Sequence, residues 1–142
     1  MKKLSFVLVA LAAFVLFAGC ANGTENNNNN NGGYSTTQEQ AVFVGTKSSD
    51  GTQVATYTWT FKTDGTWVGM SKSHQLPASE PATEYLNGTY LGNAAKDGKV
   101  KITIKKMFDG TSLADYTGSR ATFETTITNG KLSYGGVELT RQ

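Results

Sequence analysis

One cysteine, one histidine and two prolines are all that these 142 residues hold of three residue types that organise many sites and folds. The lone Cys20 excludes an intramolecular disulfide and any cysteine-rich metal cluster. The lone His74 sits in "SKSHQLP" with neither an acidic orienter nor a nucleophile beside it, so no catalytic triad can be assembled around it. It reads as a solvated loop residue. An excess of one charge is missing too. Thirteen basic side chains face eleven acidic ones, and two of the basic residues, Lys2 and Lys3, belong to the leading segment. The rest of the chain is therefore neutral, which excludes the one-signed surface that nucleic acid demands. Metal-ligand spacing is absent, because Asp64, Asp97 and Asp109 each belong to an Asp-Gly or turn-forming dipeptide. Glu80, Glu84, Asp115 and Glu124 could act as acid and base only if the fold paired them. No catalytic residue, no metal and no cofactor is expected, and the chain reads as a non-enzyme.

What is present begins with Met1-Lys2-Lys3 and an apolar run from Leu4 to Phe17, too short to cross a bilayer and of the length of a secretory signal core. The run ends Leu16-Phe17-Ala18-Gly19-Cys20, which resembles the lipobox of bacterial lipoproteins. That resemblance implies a signal peptide over 1–19, lipidation of Cys20 and anchoring in a bacterial cell envelope. Ala21 stands where, in that family, an aspartate would signal inner-membrane retention, so outer-membrane or surface placement is expected. Two or three acyl chains, at about 0.8 kcal/mol per buried methylene, hold a soluble domain to a membrane stably. From Ala21 to Gln40 the chain is Asn, Gly, Thr, Glu, Ser and Gln with one aromatic, Tyr34. Such a segment cannot bury enough apolar surface to offset its ordering entropy, so 20–40 reads as the anchor and a disordered asparagine-rich tether. As a coil of about nineteen residues it spans on the order of 25 Å.

Beyond residue 40 the apolar period is two. In Tyr57-Thr58-Trp59-Thr60-Phe61 aromatics alternate with threonines, and in Lys99-Val100-Lys101-Ile102-Thr103-Ile104-Lys105 aliphatics alternate with lysines and threonine. The pattern predicts strands over 41–47, 57–61, 66–72, 85–91, 99–105, 120–128 and 131–140. Between them stand Asp50-Gly51, Asp64-Gly65, Asp97-Gly98, Asp109-Gly110 and Asn129-Gly130, which suit tight hairpins. Gly135-Gly136 falls within the last predicted strand and is expected to mark a bulge or bend. Residues 73–84, with Pro77 and Pro81, read as a long loop over one barrel end. The fold class that follows is all-β, a single domain over 41–142 built as a small antiparallel up-and-down β-barrel, a meander of seven or eight strands.

The segments "TFKTDGTWVGM" (60–70), "NGTYLGNAAKDGKVKITI" (87–104) and "FETTITNGKLSYGGVELT" (123–140) resemble the lipocalin-like domain of small bacterial lipoproteins. The matching residues are Phe61, Asp64, Gly65 and Thr66, then Gly88, Thr89 and Tyr90. That family commonly opens its first strand with G-T-W, and here the corresponding place reads Gly45-Thr46-Lys47.

Seven aromatics, Tyr57, Trp59, Phe61, Trp67, Tyr90, Phe123 and Tyr134, stand on the predicted strands. They either fill the barrel solidly or line, in part, a pocket for a small apolar or aromatic ligand oriented by tyrosine hydroxyls and an indole N–H. The alternative, of a different class, is an interaction module that binds a host or envelope protein or a glycan through its exterior, by adhesion or inhibition. Lys99, Lys101, Lys105 and Lys106 would supply a basic stripe for it, although such stripes are usually only solvated faces.

Overall fold

The computed structural model describes residues 33–49 and 52–142. The expected signal peptide, Cys20, the asparagine run and the Asp50-Gly51 turn lie outside the described residues.

Period-two alternation becomes nine strands, β1 (Ala41–Ser49), β2 (Thr52–Phe61), β3 (Thr66–Ser73), β4 (Thr83–Leu91), β5 (Gly98–Phe108), β6 (Leu113–Asp115), β7 (Thr122–Ile127), β8 (Lys131–Tyr134) and β9 (Val137–Arg141). All pair antiparallel in one sheet. Strands β1 to β5 form a meander, and β9 returns to pair with β1. The free edge of β5 is shared, with β6 on its upper part and β7 on its lower part. Strands β7 and β8 meet at the Asn129-Gly130 turn, where Thr128 pairs with Lys131. The sheet is strongly curled, and the architecture is a small up-and-down β-barrel. Among the described residues no helix is long and apolar enough to cross a membrane.

Two differences from the sequence reading shape the molecule. Gly135 and Gly136 have φ of 58° and 79°, so they form a full hairpin reversal rather than a bulge or bend, and the expected strand over 131–140 is two strands. Two consecutive positive φ values are the signature of a type I′ turn, which glycine enters without steric cost. The three-residue β6 was not expected at all. The consequence is a wall of unequal height. Four residues of β8 rise about 14 Å where ten of β2 rise about 34 Å. Between β7 and β8 the sheet is joined only by the Thr128–Lys131 bridge at its lower end, and β7, β8 and β9 stop short of the upper rim.

The lower end is closed. Residues 33–40, expected as part of the tether, lie against it: Gln38 Nε2 donates to the Tyr90 carbonyl at 3.0 Å, and Glu39 accepts from Asn93 Nδ2 at 3.3 Å. Asp97, in the β4–β5 connection, accepts from the backbone N–H groups of Asn129 and Gly130 and pairs with Arg141 Nη2 at 3.0 Å. One carboxylate thereby ties two hairpins and the last strand together.

Above this floor the inward row is continuous: Phe43, Trp59, Phe61, Trp67, Val100 and Ile102 have no exposed surface, and Leu86, Tyr90, Ile104, Ile127, Leu132 and Leu139 are buried with them. The two tryptophans share one device. Trp59 stands opposite Gly69 in the β2–β3 register, and Trp67 stands opposite Gly88 in the β3–β4 register. Each indole crosses its glycine to reach the strand beyond. Trp59 Nε1 donates to the Tyr85 hydroxyl on β4, and Trp67 Nε1 donates to the Thr103 carbonyl on β5 at 3.3 Å. A Cβ at position 69 would lie 3.1 Å from both Trp59 and Tyr85, and one at position 88 would lie 1.8 Å from the Thr103 carbonyl oxygen. Glycine is what lets the large rings and the neighbouring backbone come this close.

Candidate functional site

The short strands leave a cavity of about 220 Å³ at the upper end, lined by Lys47, Tyr57, Trp59, Tyr85, Tyr134, Gly135, Val137 and Leu139. Its accessible surface is carried by the rings of Tyr57, Tyr85 and Tyr134, behind which Trp59, Val137 and Leu139 are buried. Lys47 is exposed at the rim, the last member of the inward row that begins Ala41, Phe43, Gly45.

Tyr85 reaches the cavity through a register shift. Gly69 pairs with Leu86 and Met70 with Glu84, so Tyr85 is the extra residue of a bulge and turns to the same side as Leu86. Its ring meets Tyr57 edge-on at 5.4 Å. With the Trp59 indole N–H as donor, the Tyr85 hydroxyl is the acceptor and keeps its own proton to donate. Burial pushes the Tyr85 phenol well above its ordinary range, the indole hydrogen bond opposes this, and the nearby Tyr57 and Tyr134 hydroxyls add to the rise. Burial likewise raises Tyr134, with Tyr116 adding and Arg120 opposing. These hydroxyls are therefore protonated donors throughout the physiological range.

Tyr134 also closes a seam. Strands β7 and β8 share only the Thr128–Lys131 bridge, and above it Phe123 of β7 stacks on Tyr134 of β8 with centroids 5.1 Å apart and planes 28° apart. Trp59 lies 5.0 Å from Tyr134 on the other side. Stacked rings do there what backbone hydrogen bonds do elsewhere in the sheet.

Of the seven aromatics named from the sequence, Tyr57, Trp59 and Tyr134 line the cavity and Phe123 backs it. Phe61, Trp67 and Tyr90 do not line it; they are packed core beneath. Their polar groups are already used, since the Tyr90 hydroxyl donates to the Lys62 carbonyl at 2.7 Å and the Trp67 indole to Thr103. Sequence reasoning missed Tyr85, Lys47, Val137 and Leu139. Simple alternation places Tyr85 outside, because it is out of phase with Leu86, Gly88 and Tyr90, and only the bulge brings it in. Lys47 was legible as an inward position by counting two from Gly45, but a charged residue at a strand end reads as solvent-facing.

The other candidates lie apart. His74 is exposed, with Nε2 2.8 Å from Thr56 Oγ1. The 74–82 loop stands near the upper end, yet contributes nothing to the cavity lining. Glu84 accepts from Asn87 Nδ2 at 2.7 Å. Asp115 and Glu124 face Lys106 and Lys101 in register, so the basic stripe on β5 has acidic neighbours on β6 and on β7. Among the described residues no group of three or more His, Cys, Asp or Glu side chains could hold a metal ion. Other depressions, of about 290 to 500 Å³, are lined mostly by polar and outward-facing residues of the floor and the outer sheet. The upper cavity alone among these has an aromatic lining and inward-facing walls, the usual character of a small-molecule site. Comparison with known proteins finds no family model, no curated protein and no solved structure that the chain matches.

Proposed function

We propose that this chain is a lipid-anchored protein of the bacterial cell envelope whose barrel holds a small apolar or aromatic molecule in the upper cavity. One observation carries the reading: the inward aromatic row divides, with Phe61, Trp67 and Tyr90 packed solid while Tyr57, Tyr85 and Tyr134, only partly buried, surround open space above the buried Trp59. A barrel that needed these rings only for stability would have packed both sets. The resemblance of its strand motifs to lipocalin-like lipoproteins agrees with this role. So does the polarity of the chain: Ala41, where the tether joins, stands at the closed end, and β1 runs about 30 Å to the rim. A chain coming from an anchor on Cys20 thus joins the barrel at the floor, at the end opposite the mouth.

The test is native mass spectrometry of the protein released from its membrane in mild detergent after exposure to extracts of its surroundings. A discrete retained mass that disappears in Tyr57→Ala supports the carrier. No retained mass in any extract contradicts it. A second reading, a protein or glycan contact through the exterior, is favoured by one feature: the β5–β6 hairpin forms the edge of the sheet and exposes Met107 and Phe108 at 40% and 37%. Loss of partner binding on Phe108→Ser, with cavity variants silent, would establish that reading instead.

A further inference from the structure

Resting on the cavity reading, we infer that the molecule held there is an apolar carboxylate, with its acid group at Lys47 and its hydrocarbon body against the rings of Tyr57, Tyr85 and Tyr134. Lys47 is the one charged side chain among the described residues that line the cavity, and no carboxylate lines it. Each polar side-chain group on the walls can donate. Lys47 offers three N–H groups, Tyr57 and Tyr134 carry hydroxyls, and Tyr85 keeps its proton while accepting the indole N–H. A pocket rimmed by donors and a cation, with no anionic acceptor, is complementary to a negative group rich in lone pairs. Its position is also suited to the task. Lys47 stands opposite Ala55 in the β1–β2 register, so the side chain directly across from it is small. The size limits the body. About 220 Å³ is below the ~300–1,000 Å³ of sites for drug-sized ligands, so one ring or a short branched chain fits.

The four aromatic rings raise a competing possibility, a cage for an organic cation held over ring faces. Lys47 opposes it, because a second cation would enter without any described counter-charge. Three probes of one skeleton separate these cases: 3-phenylpropionate, 3-phenylpropionamide and 3-phenylpropylammonium, titrated by calorimetry into the full chain in lipid nanodiscs, with empty nanodiscs as the blank. The acid should bind about three- to tenfold tighter than the amide, between the strength of an exposed ion pair and that of a hydrogen bond to a charge. The ammonium should bind weakest. Lys47→Met should erase the preference of acid over amide, and Lys47→Glu should invert it. Equal affinity for acid and amide overturns the carboxylate inference and leaves the apolar cavity standing. Tightest binding by the ammonium overturns it in favour of the cage. Failure of all three probes overturns the inference and the cavity reading together.

Discussion

At the scale of single residues, the Trp59–Tyr85 pair joins the fold to the site. The indole is fully buried, and its N–H has one partner, a hydroxyl that also faces the cavity. Tyr85→Phe should therefore destabilise the protein by about 1–3 kcal/mol, the cost of a buried donor left unpaired, read from urea unfolding. The same variant carries a pH signature. The unfolded phenol ionises near pH 10, whereas in the folded protein burial raises it. As pH climbs past about 10, the unfolded chain releases a proton that the folded chain retains, so native stability falls. Below that pH the contribution is constant. The native protein should lose stability between about pH 9 and 11.5 more steeply than Tyr85→Phe. Two glycines make a graded pair: Gly69→Ala requires its neighbours to give by a few tenths of an ångström and should cost about 1–3 kcal/mol. Gly88→Ala places a methyl group inside the contact distance of a backbone carbonyl, and should cost more or prevent folding, as the urea midpoints will show. Trp59→Ala is a poor test of binding, since it removes core and cavity wall together; Tyr57→Ala, on a half-buried side chain at the mouth, separates them.

At the scale of elements, turn chemistry and strand length decide where the opening falls. The Gly135-Gly136 reversal ends β8 after four residues, and the barrel wall is low there as a result. Gly135→Asn should be tolerated, because asparagine enters the left-handed region readily. Gly135→Val should cost about 1–2 kcal/mol, measured by thermal or urea unfolding. Asp97 acts between elements. The backbone N–H of Gly130, then that of Asn129, and the Arg141 guanidinium hold its carboxyl below the usual carboxylate range. A group with a lowered folded pKa contributes stability above its unfolded value and loses it as pH falls through the folded one. Asp97→Asn should therefore flatten the acid limb of the stability curve below about pH 4.

Much of this scale was legible in the sequence. Long strands with strict alternation announced themselves, and Asp-Gly and Asn-Gly marked their turns. Gly-Gly within an unbroken alternation did not, because a bulge and a reversal can share the same dipeptide. Leu113-Ala114-Asp115 is too short to show a period, so β6 left no signal. The bulge that turns Tyr85 inward is set by how β3 and β4 pair, and local sequence does not encode a pairing register by itself.

At the scale of the whole molecule, a closed floor, a low wall and an upper cavity with aromatic sides give the barrel a direction. The chain enters at the floor, where Gln38 and Glu39 are held, and the cavity opens at the far rim. The solid lower barrel supplies the stability, which frees the upper rings to face open space. The account stands or falls on whether that space takes a ligand. The most direct measurement is nuclear magnetic resonance mapping of 3-phenylpropionate on isotope-labelled protein. The account predicts saturable shifts at Tyr57, Tyr85, Tyr134, Val137 and Leu139, with Phe61 and Tyr90 barely moved. Shifts confined to Met107 and Phe108 on the β5–β6 hairpin, or no saturable shift at all, would contradict it.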